Sequence, residues 1–234
     1  MRGNRFRRRI VLAILALVLV PSLTYVFWDL WTYNFAEIRA GELFRSAQMS
    51  ANALKQTIRE HRIKTVLNLR GKNPNQPWYR AEREAALNAG ATLVDIPMSS
   101  SEWMSRPQLR AVVDVLENYE RPILIHCQWG SERTGLVSTF AELLRPGATL
   151  NDARGQLSLR YLYARVGDGK AMAEHIDAYE SWLRERHAEH SPESFRRWVS
   201  KGYMPKPPSR EFWPYDPDPV FVVTRPEEKS TTRK

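Results

Sequence analysis

The chain of 234 residues has one cysteine, Cys127, which excludes a disulfide within the chain. It also has no second thiol that could resolve an oxidised Cys127. No internal repeat and no basic-aromatic motif for nucleic acid occurs in the sequence. We therefore expect neither a repeat architecture nor a nucleic-acid partner.

Acidic residues are outnumbered, with 26 Asp and Glu against 35 Lys and Arg and a formal net charge of +9. Five arginines lie within residues 1–9, and residues 10–28 then carry no charge. A helix of this uncharged stretch would be about 28 Å long, close to the hydrocarbon thickness of a bilayer. The stretch predicts an uncleaved transmembrane signal anchor; the alternative is a cleaved signal peptide. The positive-inside rule then predicts an inner-membrane, single-pass protein whose folded domain is periplasmic or otherwise extracytoplasmic.

Composition divides the chain into five segments. These are a basic cytoplasmic leader at 1–9, the transmembrane anchor at 10–28, a juxtamembrane segment at 29–39, a folded domain at 40–190, and a tail rich in proline and aromatic residues at 191–234. Recurring prolines predict that the tail makes no regular core element. Its last ten residues are expected to be disordered.

The folded domain alternates short apolar runs with segments of helical periodicity. Strands are predicted at 64–69, 91–97 and 123–126, and helices at 51–61, 78–89, 107–119, 134–144, 150–162 and 170–187. Ser50 and Thr149 are predicted helix caps. This alternation predicts an α/β fold with a mostly parallel central sheet and helices on both faces.

The stretch from His126 to Gly135 joins a predicted central strand to a predicted helix. Backbone N–H groups in such a turn, together with the helix N-terminus, bind anions and lower the pKa of a thiol such as Cys127. Arg133 offers a planar fork of donors to two phosphoryl oxygens. The predicted substrate-binding residues of this cradle are Gln128, Trp129, Gly130, Ser131 and Gly135. The two glycines allow unusual dihedrals and close backbone approach.

The spacing Cys-x5-Arg, followed by Thr and Gly, resembles the signature of the protein tyrosine phosphatase superfamily, in its dual-specificity and lipid-phosphatase branch. Residues 43–48 and 63–70 are similar to the opening of bacterial dual-specificity-like domains, so the resemblance covers about residues 40–187. It implies a cysteinyl-phosphate mechanism that uses no metal and no cofactor. By position it implies that Cys127 is the nucleophile, that Arg133 clamps the phosphoryl group, that Thr134 helps the thiolate leave, and that His126 tunes the thiol.

The general acid expected on the loop after the second predicted strand is missing, because residues 98–103 contain no aspartate. Glu132 is our first candidate, since it precedes the arginine in the cradle, where myotubularin-like and Sac-like lipid phosphatases carry an aspartate. Glu102, on the expected loop, and Asp95, in the strand, are the alternatives. Asp95 is interpreted first as a hydrogen-bonding residue at the strand end.

These observations predict a membrane-anchored phosphatase of the protein tyrosine or dual-specificity type. One alternative is a phosphatase for a phospholipid or polyol phosphate. The second alternative is a catalytically weak phosphate-binding pseudophosphatase. The expected partners are a phosphorylated protein, lipid or small molecule and the membrane. The oligomeric state is not predicted.

Overall fold

The computed structural model describes residues 2–207 and 222–225, except for the side chains of 2–6, 9, 10, 13, 14, 168, 222 and 223. The strands are β1 Ala36–Arg39, β2 Leu43–Ser46, β3 Thr65–Asn68, β4 Thr92–Asp95, β5 Ile123–His126 and β6 Val222–Thr224. The α-helices are α1 Arg2–Trp31, α2 Ala51–Glu60, α3 Pro77–Asn88, α4 Arg106–Asn118, α5 Glu132–Leu143, α6 Leu150–Arg154, α7 Lys170–Glu185 and α8 Pro192–Arg197. Shorter turns lie at Leu159–Tyr161, Gly167–Gly169 and Trp198–Gly202.

The strands form one sheet in the order β1-β2-β5-β3-β4-β6. The four inner strands are parallel, whereas β1 and β6 pair antiparallel to their neighbours. The α/β class is therefore confirmed, and the sheet is mixed at both edges. Strands β1 and β2 are absent from the sequence-based prediction because four residues with few consecutive apolar side chains give no clear strand signal. Strand β6 is absent because it lies in the tail, where the recurring prolines predict no regular element.

The sheet separates two hydrophobic clusters because successive side chains of a strand point to opposite faces. On one face, Val66 of β3 and Leu124 of β5 belong to the cluster that includes α2 and α3. On the other face, Leu67 and Ile125 belong to the cluster that includes α4, α5 and α7. Helices thus cover both faces, as predicted.

The predicted caps are present at α2 and α6. The Ser50 hydroxyl accepts the N–H of Ala53 at 3.3 Å, and Thr149 forms a reciprocal capping box with Asp152. The helix predicted over 150–162 nevertheless ends at Arg154. The chain continues into a 3-10 turn that terminates at Leu162, whose φ of 56° is left-handed and cannot continue an α-helix.

The prediction that no regular core element follows residue 191 is wrong. Helix α8 starts with Pro192, in the first turn, where proline needs no hydrogen bond to its nitrogen. Phe195, Trp198 and Tyr203 are buried in the cluster with α4, α5 and α7. Disorder is predicted for the last ten residues, 225–234. All of these except Arg225 lie outside the described residues.

Helix α1 contains the stretch predicted to span the membrane, residues 10–28. Among the helices of the described residues, none combines the length and apolarity needed to cross a bilayer. The predicted transmembrane anchor is therefore not supported. In that stretch, the side chains of residues 10, 13 and 14 lie outside the described part. The location of the folded domain stays a prediction.

The buried aromatic side chains after residue 191 lead to a stability test. Phe195 is fully buried, with ring centroids 5.5 Å from Phe140 and 5.2 Å from Tyr179. Phe195→Ala should lower the free energy of unfolding by about 3–5 kcal/mol, because it leaves a cavity among these rings. Met204→Ala, at a nearby side chain that is 70% exposed, should change it by less than about 0.5 kcal/mol. Equal effects in urea denaturation would contradict this packing.

Candidate active site

Cys127 lies directly after β5, and residues 127–131 connect this strand to the first residue of α5, Glu132. The thiol is buried, with 1% of the residue exposed. The loop lies at the carboxyl ends of the parallel strands, the edge at which α/β sheets bind ligands. The predicted strand–loop–helix arrangement is confirmed.

The two glycines of the loop serve different purposes. Gly130 has a φ of 70°, and a Cβ there would lie 2.7 Å from the backbone nitrogen of Ala47. Both its dihedral and its close approach to the end of β2 therefore require glycine. Gly135 has no positive φ, but a Cβ would lie 2.8 Å from Leu157 Cδ2. Such a Cβ would also lie 3.0 Å from the backbone oxygen of Gln156, so Gly135 has a packing role, which corrects the expectation of an unusual dihedral there.

Three consecutive carbonyl groups of the loop are held from outside. The backbone N–H of Gln48 donates to Gln128 O at 3.2 Å. Two side chains, absent from the sequence-based candidates, hold the next two carbonyls: Asn34 Nδ2 donates to Trp129 O at 3.2 Å, and Arg45 Nη2 donates to Gly130 O at 2.7 Å.

Electrostatics at the loop favour the thiolate of Cys127. Burial opposes ionisation, but the Arg133 guanidinium, the hydroxyl and N–H of Thr134 and the N–H of Trp129 outweigh it, and together they lower the pKa of the thiol. The loop that leads into α5 therefore favours the thiolate form of Cys127. This agrees with the lowered pKa expected from the sequence.

His126 is buried and contacts a carboxylate that the sequence-based candidates do not include. Its Nε2 lies 3.2 Å from Oε1 of Glu82, which is itself buried on α3. Burial is the largest single effect and acts to lower the pKa of His126, but the charge and hydrogen bond of Glu82, together with the charge and backbone of Cys127, outweigh burial and raise it. The positions of Tyr79, Glu82 and Ala86 on one helical face are a signal that could have identified Glu82 as buried.

The carboxylate of Glu82 is held in turn from the loop after β2. Gln48 Nε2 donates to Glu82 Oε2, and Arg70 Nη1 donates to Gln48 Oε1 at 3.1 Å. The Arg70 guanidinium also stacks on Trp78, 3.6 Å from the ring centroid. A polar network therefore extends from His126 to a partly exposed arginine.

Arg133 lies in the first turn of α5 and is partly exposed. Its Nη1 is 3.3 Å from Met98 O and 3.5 Å from Leu69 O, both of which follow strand ends beside the loop. Its Nε has no partner among the described residues. The guanidinium thus retains donor capacity at the edge of the cradle for an incoming anion. Thr134, the next residue, is fully buried.

Asp95 is fully buried at the end of β4, and both of its carboxylate oxygens are used within the fold. Oδ1 accepts from Asn68 Nδ2 at 2.8 Å, and Oδ2 accepts from the Tyr79 hydroxyl at 2.5 Å. Burial is the main cause that raises the pKa of Asp95 to about 6. This geometry matches the interpretation as a strand-end hydrogen-bonding residue, and burial separates the carboxyl group from solvent.

The two glutamate candidates are both partly exposed. Glu132 begins α5, and its Cγ lies 3.7 Å from the position that a Cβ of Gly169 would occupy. Glu102 lies on the loop between β4 and α4, where its N–H donates to Ser99 Oγ at 3.1 Å. Glu132 is thus next to Arg133 in the chain, whereas Glu102 lies on a separate loop.

Apolar side chains are exposed near the loop. Trp129, two residues after the cysteine, is 57% exposed. Asn34 Nδ2 joins Trp129 O to Tyr161 O, which places the turn Leu159–Tyr161 next to the loop. Leu159 in that turn is 74% exposed. Two exposed apolar side chains and the exposed Arg160 therefore lie near the loop.

A family model, described as DSP-PTPase phosphatase fused to NAD+ kinase, matches residues 34–174. The match contains the whole loop from Cys127 to Arg133 and covers more than half of the chain. It confirms the resemblance to cysteine phosphatases. No curated protein matches the chain.

Several solved phosphatase structures are similar to the chain. The core catalytic domain of the PP-IP phosphatase SIW14 from S. cerevisiae, in complex with citrate, is 20% identical with a TM-score of 0.49, over 66% of this chain and 92% of that one. P. aeruginosa TpbA in complex with pTyr is 18% identical with a TM-score of 0.49, over 73% and 93%. A putative phosphatase from Shewanella putrefaciens is 15% identical with a TM-score of 0.47, over 62% and 91%.

The lowered pKa of the thiol can be tested directly because Cys127 is the one cysteine of the chain. Arg133→Met removes the nearest cation, so the pH midpoint of alkylation by iodoacetamide should rise by about one unit or more. Arg110→Met, at an exposed residue of α4 that contacts Ser200 O, should leave the midpoint unchanged. An unchanged midpoint in Arg133→Met would contradict the electrostatic account.

Proposed function

Because the chain belongs to the dual-specificity-type phosphatase family, described as DSP-PTPase phosphatase fused to NAD+ kinase, we propose that it works through a cysteinyl-phosphate intermediate. Its class as a phosphoric monoester hydrolase follows from the family. The observation that carries the proposed mechanism is the buried Cys127 in the loop that leads into α5, whose pKa is lowered by Arg133 and by the loop.

In the first step, the Cys127 thiolate attacks phosphorus and forms an S–P bond. The bond between phosphorus and the ester oxygen breaks, and that oxygen leaves with the electron pair and takes a proton from the general acid. The loop N–H groups and the Arg133 fork hold the other phosphoryl oxygens, on which negative charge is spread.

In the second step, water attacks phosphorus, the S–P bond breaks, and the sulfur leaves with its electron pair as the thiolate. The residue that served as acid is now a carboxylate, and it accepts the proton of the water. The hydroxyl of Thr134 and the helix N-terminus stabilise the departing thiolate, for the same reason that they lower the pKa of Cys127. His126, which contacts Glu82, tunes the same sulfur through its position next to it in the chain.

We propose Glu132 as the general acid. It is partly exposed, which lets its carboxyl group reach a bound ester, and it directly precedes Arg133. Asp95 is a poorer candidate, because Asn68 and Tyr79 use both of its oxygens. Glu102 remains the competing residue.

The general acid is identified by how the loss of kcat in each variant depends on the leaving group of the substrate. Glu132→Gln should lower kcat about 100-fold on phenyl phosphate and much less on p-nitrophenyl phosphate, whose leaving oxygen needs no proton. Glu102→Gln is the matched control and should affect both substrates equally. Equal losses in Glu132→Gln would contradict its role, and a selective loss in Glu102→Gln would assign the acid to that residue.

A phospholipid or polyol phosphate is the second candidate substrate class. The exposed Trp129 and Leu159 beside the cradle favour an ester whose phosphate adjoins apolar groups. A phosphotyrosine ring also satisfies this requirement, so the protein tyrosine or dual-specificity type remains the first proposal.

A substrate panel tests both the mechanism and the class. The purified chain, in the presence of a metal chelator, should hydrolyse p-nitrophenyl phosphate, and Cys127→Ser should abolish this turnover while the protein stays folded. Phosphotyrosine peptide, inositol phosphate and phosphatidylinositol phosphate in mixed micelles are then compared by phosphate release. Activity that survives Cys127→Ser, or that requires a divalent metal, would contradict the mechanism. Phosphate binding without any turnover would indicate the pseudophosphatase alternative.

A further inference from the structure

The carbonyl groups of Gln128, Trp129 and Gly130 are each held by a donor that lies outside the loop. A trans peptide unit is planar, and its C=O and the following N–H point in opposite directions. An outward carbonyl therefore turns the next N–H inward. These three hydrogen bonds aim the N–H groups of Trp129, Gly130 and Ser131 at the space above Cys127, and the N–H of Trp129 does stabilise the thiolate.

Arg45 is fully buried, with none of the residue exposed. Its Nη1 donates to the backbone oxygen and to Oε1 of Gln156, each at 2.8 Å, and its guanidinium lies 3.6 Å from the ring centroid of Tyr161. These contacts fix the fork so that Nη2 meets Gly130 O at 2.7 Å. Burial lowers the pKa of Arg45 to about 10, so it remains charged at neutral pH.

Asn34 acts on the neighbouring peptide unit. It is buried with a φ of 48°, a conformation that asparagine tolerates better than most residues. Its Nδ2 donates to both Trp129 O and Tyr161 O. The loop is therefore held between β2 and the turn that contains Tyr161.

We propose that Arg45 and Asn34 are positioning residues for catalysis, which orient the phosphate loop by holding the carbonyl groups of Gly130 and Trp129 outward. The expected effect of Arg45 and Asn34 on turnover rests on the proposed function. Their expected effect on the conformation of the loop does not.

The test uses Arg45→Met and Arg45→Lys in the full chain. Arg45→Met should lower kcat/KM for p-nitrophenyl phosphate about 100-fold, with most of the loss in kcat, because misdirected N–H groups no longer meet the transition state. The pH midpoint of Cys127 alkylation should rise, and inorganic phosphate should bind the Arg45→Met, Cys127→Ser double variant about tenfold more weakly than Cys127→Ser alone. Arg45→Lys keeps the charge without the fork and should recover only part of each loss.

Arg39→Met is the matched control, since Arg39 also donates to a backbone carbonyl of α5, that of Ala141, at the end of the helix remote from the site. It should alter thermal stability without moving the midpoint or phosphate affinity. An Arg45→Met protein that keeps the parent midpoint and affinity would overturn the proposal. So would full recovery of both in Arg45→Lys, because charge alone would then suffice.

If Arg45→Met does not fold, Asn34→Gly gives the same decision, since it removes the Nδ2 donor, adds no charge and tolerates the positive φ of this position. The midpoint should rise, and an unchanged midpoint would overturn the proposal. If the parent protein shows no turnover, the proposed function fails. The alkylation midpoint and phosphate binding still decide the role of Arg45.

Discussion

The site depends on one constraint, which is that each peptide unit of the loop between β5 and α5 must turn its N–H toward the phosphate. The opposite end of each unit is a carbonyl, and a buried carbonyl needs a donor. The fold supplies these donors from the segment 34–48, which runs beside β5 because β2 pairs parallel with it. The cradle is therefore a property of two neighbouring strands rather than of the loop alone.

The buried charged side chains at this edge of the sheet contact groups of opposite charge or hydrogen-bond partners. Glu82 meets His126, and Arg45 meets three carbonyl oxygens and an aromatic ring. Asp95, whose hydrogen-bond partners among the described residues are Asn68 and Tyr79 and include no cation, has a pKa raised to about 6. Because a charge inside a protein is costly unless it is paired, these contacts also restrict how the strand ends can move. The thiolate of Cys127 is stabilised next to these paired groups.

The sequence predicts what lies close together along the chain. The strand Ile123–His126 is predicted to the residue, and the loop and α5 follow from Cys127, Arg133 and the apolar spacing after them. Asn34 and Arg45 could not be predicted in the same way, since they reach the loop across more than 80 residues and neither has a local pattern that indicates a buried donor. The prediction for the proline-rich segment after 191 was wrong because a local pattern can exclude a long helix but does not show how deeply the aromatic side chains are buried.

That segment bears on the site through α5. The helix presents its first turn to the phosphate loop, and Phe140 near its other end packs against Phe195 of α8 and against His175 of α7. Gly135 lets Leu157 approach the same helix near its start. Since a helix is stiff over three turns, contacts at both ends set the direction in which its N-terminus points. The residues after 191 therefore contribute to the aim of the helix N-terminus at Cys127, although they lie outside the region that the family model matches.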